Sequence, residues 1–206
     1  RLSLVGSEMC IRDRFLSFSA PRLYHAIAMA VDIAGFEIRD AINWVYTQNQ
    51  PKGMSVNRSI NTLDLDNGQK EKLRVMYKNY KTPGMKSCYE PICVAMKPVE
   101  GRFIDNELNF KTGLLNFGEK VGRNKVISNV VTVNEFDDVY DSNFLVTKPS
   151  KKEKGFSNIH LSVKPLTLIE HLLRIFTKEG SMVIDPFLGS GTCLLYTSDA
   201  ADDSGC

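Results

Sequence analysis

The feature that most constrains this chain lies near its far end. Ser181-Met-Val-Ile-Asp185 runs directly into Pro186-Phe-Leu-Gly-Ser-Gly-Thr192. A short apolar run ending in an acid predicts a buried strand. A Gly-rich loop at the carboxyl end of a strand is where open α/β sheets hold nucleotide-like ligands. Gly189 and Gly191 remove the Cβ that would keep a ligand off the backbone. Upstream, Pro165–Lys178 places Leu168, Ile169, Leu172, Leu173 and Phe176 on one helical face, and Gly180 follows as a stop. Taken alone, a Gly-x-Gly is as often a tight turn. A nicotinamide fingerprint would need a third Gly and an acid about twenty residues on, and the third Gly is missing.

Composition narrows the class. Of 206 residues, 43% are hydrophobic and 24% charged, and the net charge is +2. That excludes a disordered polyelectrolyte or a wholly basic nucleic-acid arm. No apolar run reaches the roughly 18–20 residues of a membrane span. The first fourteen residues (RLSLVGSEMCIRDR) and the last fourteen (CLLYTSDAADDSGC) match nothing beside them and look like translated sequencing adapter. Residues 1–14 and 193–206 are therefore expected to pack poorly. Without them the net charge is +4, and of five Cys only Cys88 and Cys93 remain. Two thiols suit a reducing cytoplasm and make no zinc site.

Between the ends, Phe15–Phe18 reads as a strand, with Ser19 as N-cap and Pro21 in the first turn of a helix. That helix carries Leu23, Ile27, Ala30, Val31 and Ala34 and stops at Gly35. Residues 36–46 read as a hairpin split at Arg39-Asp40. From 47 to 157 the chain reads as an inserted module. It has helical stretches near 55–61 and 71–80, a strand candidate at Tyr89–Met96 and another at Val126–Val133.

Asp185-Pro-Phe-Leu-Gly-Ser-Gly-Thr192 resembles the S-adenosylmethionine loop of DNA amino-methyltransferases. Asn158-x-His160 with Ser162-x-Lys164-Pro165 resembles the segment that precedes that loop, with Leu161 and Ser162 where the family carries Pro and Thr. Lys148–Gly155, Met85–Ile92, Phe18–Arg22 and Gly35–Asp40 with Trp44 resemble further family segments in the same order. A cofactor loop placed last resembles the β arrangement of these enzymes. The family's [D/S/N]-P-P-[Y/F/W] catalytic motif is absent from this sequence and is expected upstream of Phe15.

The resemblance implies an α/β fold, a partial Rossmann-like methyltransferase sheet with a target-recognition insert at 47–157. Residues 15–46 and 158–192 would form the catalytic domain. In the family's strand order 3-2-1-4-5-7-6, Phe15–Phe18 would be the fifth strand, 36–46 the sixth and seventh, and Met182–Asp185 the first. The first and fifth would run parallel, one or two spacings of about 4.8 Å apart. The implied cofactor is S-adenosylmethionine, held by Asp185, Phe187, Gly189, Gly191, Ser162 and Lys164. Lys164 either pairs the cofactor's carboxylate or sits solvated beside Pro165. The implied partner is double-stranded DNA, contacted by Lys148, Lys151, Lys152 and Lys154. The target nucleotide would be flipped out of the duplex, since its amine cannot be reached in the stack. No metal is implied, and His25, His160 and His171 are not read as ligands. The alternative is a non-catalytic DNA-binding module derived from such an enzyme.

Overall fold

The computed structural model describes residues 14–46, 50, 52–118, 128–131, 148–154, 158, 162–178, 180–187, 189 and 191. The adapter-like ends, apart from Arg14, lie outside the described residues, as does His160. The chain divides into two compact units, Gln48–Cys88 and the remainder.

The larger unit is built on a sheet of four strands in the order β1-β3-β2-β4. These are β1 (Arg14–Phe18), β2 (Glu37–Val45), β3 (Tyr89–Met96) and β4 (Val130–Val131). β3 lies antiparallel between β1 and β2, and β4 joins the far side of β2 in parallel. The insert expected over 47–157 is therefore not one block. Tyr89–Met96 is the central strand, and the unit set apart is the narrower Gln48–Cys88.

β3 takes that place because its alternate residues are apolar on both faces. Ile92 and Val94 join Ile42, Trp44, Tyr46, Leu168 and Leu172 in one core, with Leu16, Phe18 and Phe176 against it. Cys93 and Ala95 face the other way, with Val31, Phe15, Tyr24, Ile27 and Phe36. Helix α1 (Tyr24–Ile33) supplies Val31 to the second core, and α6 (Leu166–Phe176) supplies Leu168 and Leu172 to the first. The sheet is thus covered by helices on both sides, the layering of an α/β fold.

The Arg39-Asp40 break is a β-bulge within one strand, not a hairpin turn. Ile38 pairs with Ala95 and Asp40 with Val94, so Arg39 is the extra residue. Side chains alternate with a period of two, so one extra residue exchanges the faces. The exchange turns Ile42 and Trp44 into the α6-side core. The two strands expected over 36–46 are thus one, and the strand between β1 and β2 is β3.

Three other local expectations change. Ser19 does not cap the first helix. Its N–H donates to Pro91 O at 3.0 Å, and Pro21–Leu23 forms a 3-10 turn before α1. Arg14 belongs to β1 and donates to Phe176 O at 2.7 Å, a cation at the carboxyl end of α6. Met182–Asp185 is not a strand and pairs with none of the sheet. Met182 and Ile184 are 73% and 72% exposed. An apolar segment is held extended only by a neighbouring ladder, and no described strand offers one.

The smaller unit, Gln48–Cys88, packs α2 (Asn57–Asn61) with α3 (Asn67–Met76). Asp66 caps α3, accepting from Gly68 N and Gln69 N, while Asp66 N donates to the Gln69 side chain. Lys70 and Arg74 both reach Asn61, at 3.2 and 2.6 Å. Val56, Ile60, Leu63, Leu73 and Tyr77 line an apolar groove. A bridge between Ser55 and Lys81 closes the base, where a Cβ on Gly53 would lie 3.0 Å from Thr82 O. In the larger unit, α4 (Phe103–Phe110) and the short α5 (Lys151–Lys154) complete the helices among the described residues.

Candidate cofactor and DNA sites

The Gly-rich loop follows Asp185. One carboxylate oxygen of Asp185 accepts the Phe187 N–H at 3.0 Å, which closes the loop's first turn. Phe187 is left 87% exposed. Gly189 and Gly191 have φ of 57° and 78°, the left-handed region that side chains disfavour. A Cβ on Gly191 would meet nothing within 4 Å, so its backbone is open to approach. This donor set fits a molecule with an ammonium group and an apolar part. It offers a carboxylate with one oxygen free of the turn, an exposed ring, and backbone without side chains.

Ser162 stands in an exposed turn. Lys164 is not solvated beside Pro165, the second of the two sequence expectations. Its Nζ lies 2.5 Å from Glu90 Oε2, at 21% side-chain exposure, with the Phe18 and Trp44 rings 4.9 and 5.7 Å away. Its ammonium is ion-paired and largely buried rather than solvated.

Lys148 converges on the same acid. Its Nζ is 3.9 Å from Glu90 Oε1 and 4.4 Å from the Tyr46 ring centre. The Tyr46 hydroxyl donates to Glu90 Oε1 at 3.3 Å. Glu90 thus gathers one lysine assigned to the cofactor and another assigned to DNA. Sequence reasoning did not single out Glu90, although it lies inside the quoted Met85–Ile92 segment. The available signal was a lone acid entering an otherwise apolar strand, which must find a cation when half-buried.

Lys151 and Lys152 are exposed on α5, and Lys154 is half-buried. The acid among them is not idle. Glu153 N donates to Ser150 Oγ at 3.2 Å, and Glu153 Oε1 accepts the Leu166 N–H at 3.0 Å. The basic run therefore supplies a carboxylate to the first turn of α6, where helix N–H groups lack partners.

Residues 9–202 match the DNA methylase family (N6_N4_Mtase). The chain belongs to that family. It is 24% identical over 185 residues to the Type II methyltransferase M.HindIII of Haemophilus influenzae, covering 88% of this chain and 54% of that protein. The chain spans about half the length of this curated relative. Among solved structures it is similar to the M1.HpyAVI–SAM complex, with 19% identity and a TM-score of 0.47 over 91% of this chain and 64% of that one. It is likewise similar to a second structure of M1.HpyAVI, with 19% identity and a TM-score of 0.47 over 90% of this chain and 60% of that one. The α/β reading and the DNA methylase assignment made from the sequence agree with the family match.

Proposed function

We propose that this chain is part of a site-specific DNA N-methyltransferase. The reaction moves a methyl group from S-adenosylmethionine to the exocyclic amine of adenine (N6) or cytosine (N4) in duplex DNA. The observation that carries the reading is the family match across 9–202, with the Asp185–Thr192 loop inside it.

The cofactor supplies a methyl group on a sulfonium, an electrophile needing no metal. Asp185 offers its carboxylate to the ammonium of the cofactor's amino-acid end. Phe187 covers its apolar part. Gly189 and Gly191 admit it to the backbone. Ser162 flanks the site, and Lys164 acts through Glu90 as a positioning residue for the segment that leads into α6. Lys148 shares that positioning role, which leaves Lys151, Lys152 and Lys154 as the DNA contacts of this segment. A cytoplasmic location completes the reading, consistent with Cys93 as a buried free thiol.

Methyl transfer by the full-length gene product tests the proposal. Labelled methyl recovered as N6-methyladenine or N4-methylcytosine supports it. Label at cytosine C5, or on protein or a small molecule only, contradicts it.

A further inference from the structure

The positive charge of this protein is concentrated in one place. Gln48–Cys88 holds eight Lys and Arg against three Asp and Glu, a net +5 in a chain whose total is +2. The rest of the chain holds 18 basic and 21 acidic residues. Excluding both adapter-like ends leaves 15 against 16, so the asymmetry does not come from them.

Two of the three acids are engaged within the unit, and only Asp64 is exposed with its charge unengaged among the described residues. Asp66 is occupied in capping α3, and Glu71 pairs with Arg74 at 2.7 Å. Lys70 and Arg74 are turned to Asn61. Arg58, Lys72, Lys78, Lys81 and Lys86 are exposed and form no ion pair among the described residues. Tyr77 and Tyr80 alternate with two of them. Their rings meet edge to face at 5.7 Å, and both residues are exposed. Exposed lysines beside phenol hydroxyls form a surface of donors suited to phosphate oxygens. The lysines of 148–154 compare poorly, because Lys148 is engaged with Glu90 and Lys154 is half-buried.

We infer that Gln48–Cys88 carries the main phosphate-contacting surface for duplex DNA, through Lys72, Lys78 and Lys81 with Tyr80. The inference rests on the proposed DNA methyltransferase reading and deepens it. The contacts are to the backbone, so they set affinity and salt dependence rather than sequence.

Duplex binding by the 206-residue chain, followed by fluorescence anisotropy over a salt series, tests this. Three proteins are compared: the parent, Lys72→Gln/Lys78→Gln/Lys81→Gln, and Lys151→Gln/Lys152→Gln/Lys154→Gln. The first triple should lower the slope of log K against log salt by about 2–3. It should weaken specific and scrambled duplexes alike. The second triple should change the slope less. An unchanged slope in the first triple, or a larger loss in the second, overturns the inference and leaves the methyltransferase reading standing. No duplex binding by the parent overturns the inference and also removes support from that reading. Circular dichroism checks folding. If the triple is misfolded, Lys78→Gln alone should lower the slope by about 0.9, and no change there counts against the inference.

Discussion

Glu90 Oε2 and Lys164 Nζ lie 2.5 Å apart at the edge of the α6-side core, each about one-fifth exposed. The pair joins the start of β3 to the residue before Pro165, and so ties the segment entering α6 to the central strand. Tyr46, Trp44 and Phe18 surround it, so water screens it poorly.

Removing one partner should therefore cost more than a surface ion pair does. Glu90→Gln leaves two ammonium groups against aromatic rings, and about 1–3 kcal/mol of stability should be lost. A double-mutant cycle with Lys164→Met, read by urea unfolding, should give a coupling energy above about 0.5 kcal/mol. Additive single effects would reduce the contact to packing.

His171 lies in α6 and is buried, and burial pushes its pKa down from 6.5 to about 4. The unfolded chain therefore binds this proton more readily than the folded chain. Stability from this group is full above pH 6.5 and falls as pH drops towards 4. The loss should not exceed about 3 kcal/mol. Urea midpoints at pH 7.5 and pH 5 measure it in the parent and in His171→Gln. The variant should show a smaller difference, and an equal one would contradict the assignment.

Cys93 sits in the centre of β3 with no exposure, and burial raises its pKa, while Cys88 is half-buried. Iodoacetamide should alkylate Cys88 in the native protein and Cys93 only in denaturant, as read by peptide mass spectrometry. Native labelling of Cys93 would mean that the α1-side core opens readily.

The chain as written contains no [D/S/N]-P-P-[Y/F/W] motif. Positioning of the reacting groups supplies roughly 7–11 kcal/mol in reactions of this kind. This 206-residue chain should accordingly transfer no label from S-adenosylmethionine to duplex DNA above a no-protein control. Measurable transfer would show that the target amine is held by residues other than that motif.

What could be read in advance followed from local pattern. The apolar spacing that marked α1 and α6 is a helix-face signal and needs no partner to be recognised. The Asp185–Thr192 string was singled out by its resemblance to the family's loop, and its Gly189 and Gly191 take left-handed backbone. What escaped depended on pairing. Arg39-Asp40 reads equally as a turn or a bulge until the register with β3 is known. Tyr89–Met96 is continuous in apolar character, and only its two neighbours make it central. Met182–Asp185 has strand composition but no ladder. Lys148 and Lys164, sixteen residues apart, meet on an acid far upstream, which no spacing rule reveals. The charge of Gln48–Cys88 was countable, yet its boundaries were visible only once β3 had been placed in the sheet.

The most direct test of the account is binding of S-adenosylmethionine to this chain by isothermal titration calorimetry, with Asp185→Ala and Lys151→Gln alongside. One cofactor should bind per chain, at least about tenfold more weakly in Asp185→Ala as a charge-assisted contact is lost, and undiminished in Lys151→Gln. Absence of binding by the parent, or equal binding by Asp185→Ala, would contradict the assignment of the 185–191 loop as the cofactor site.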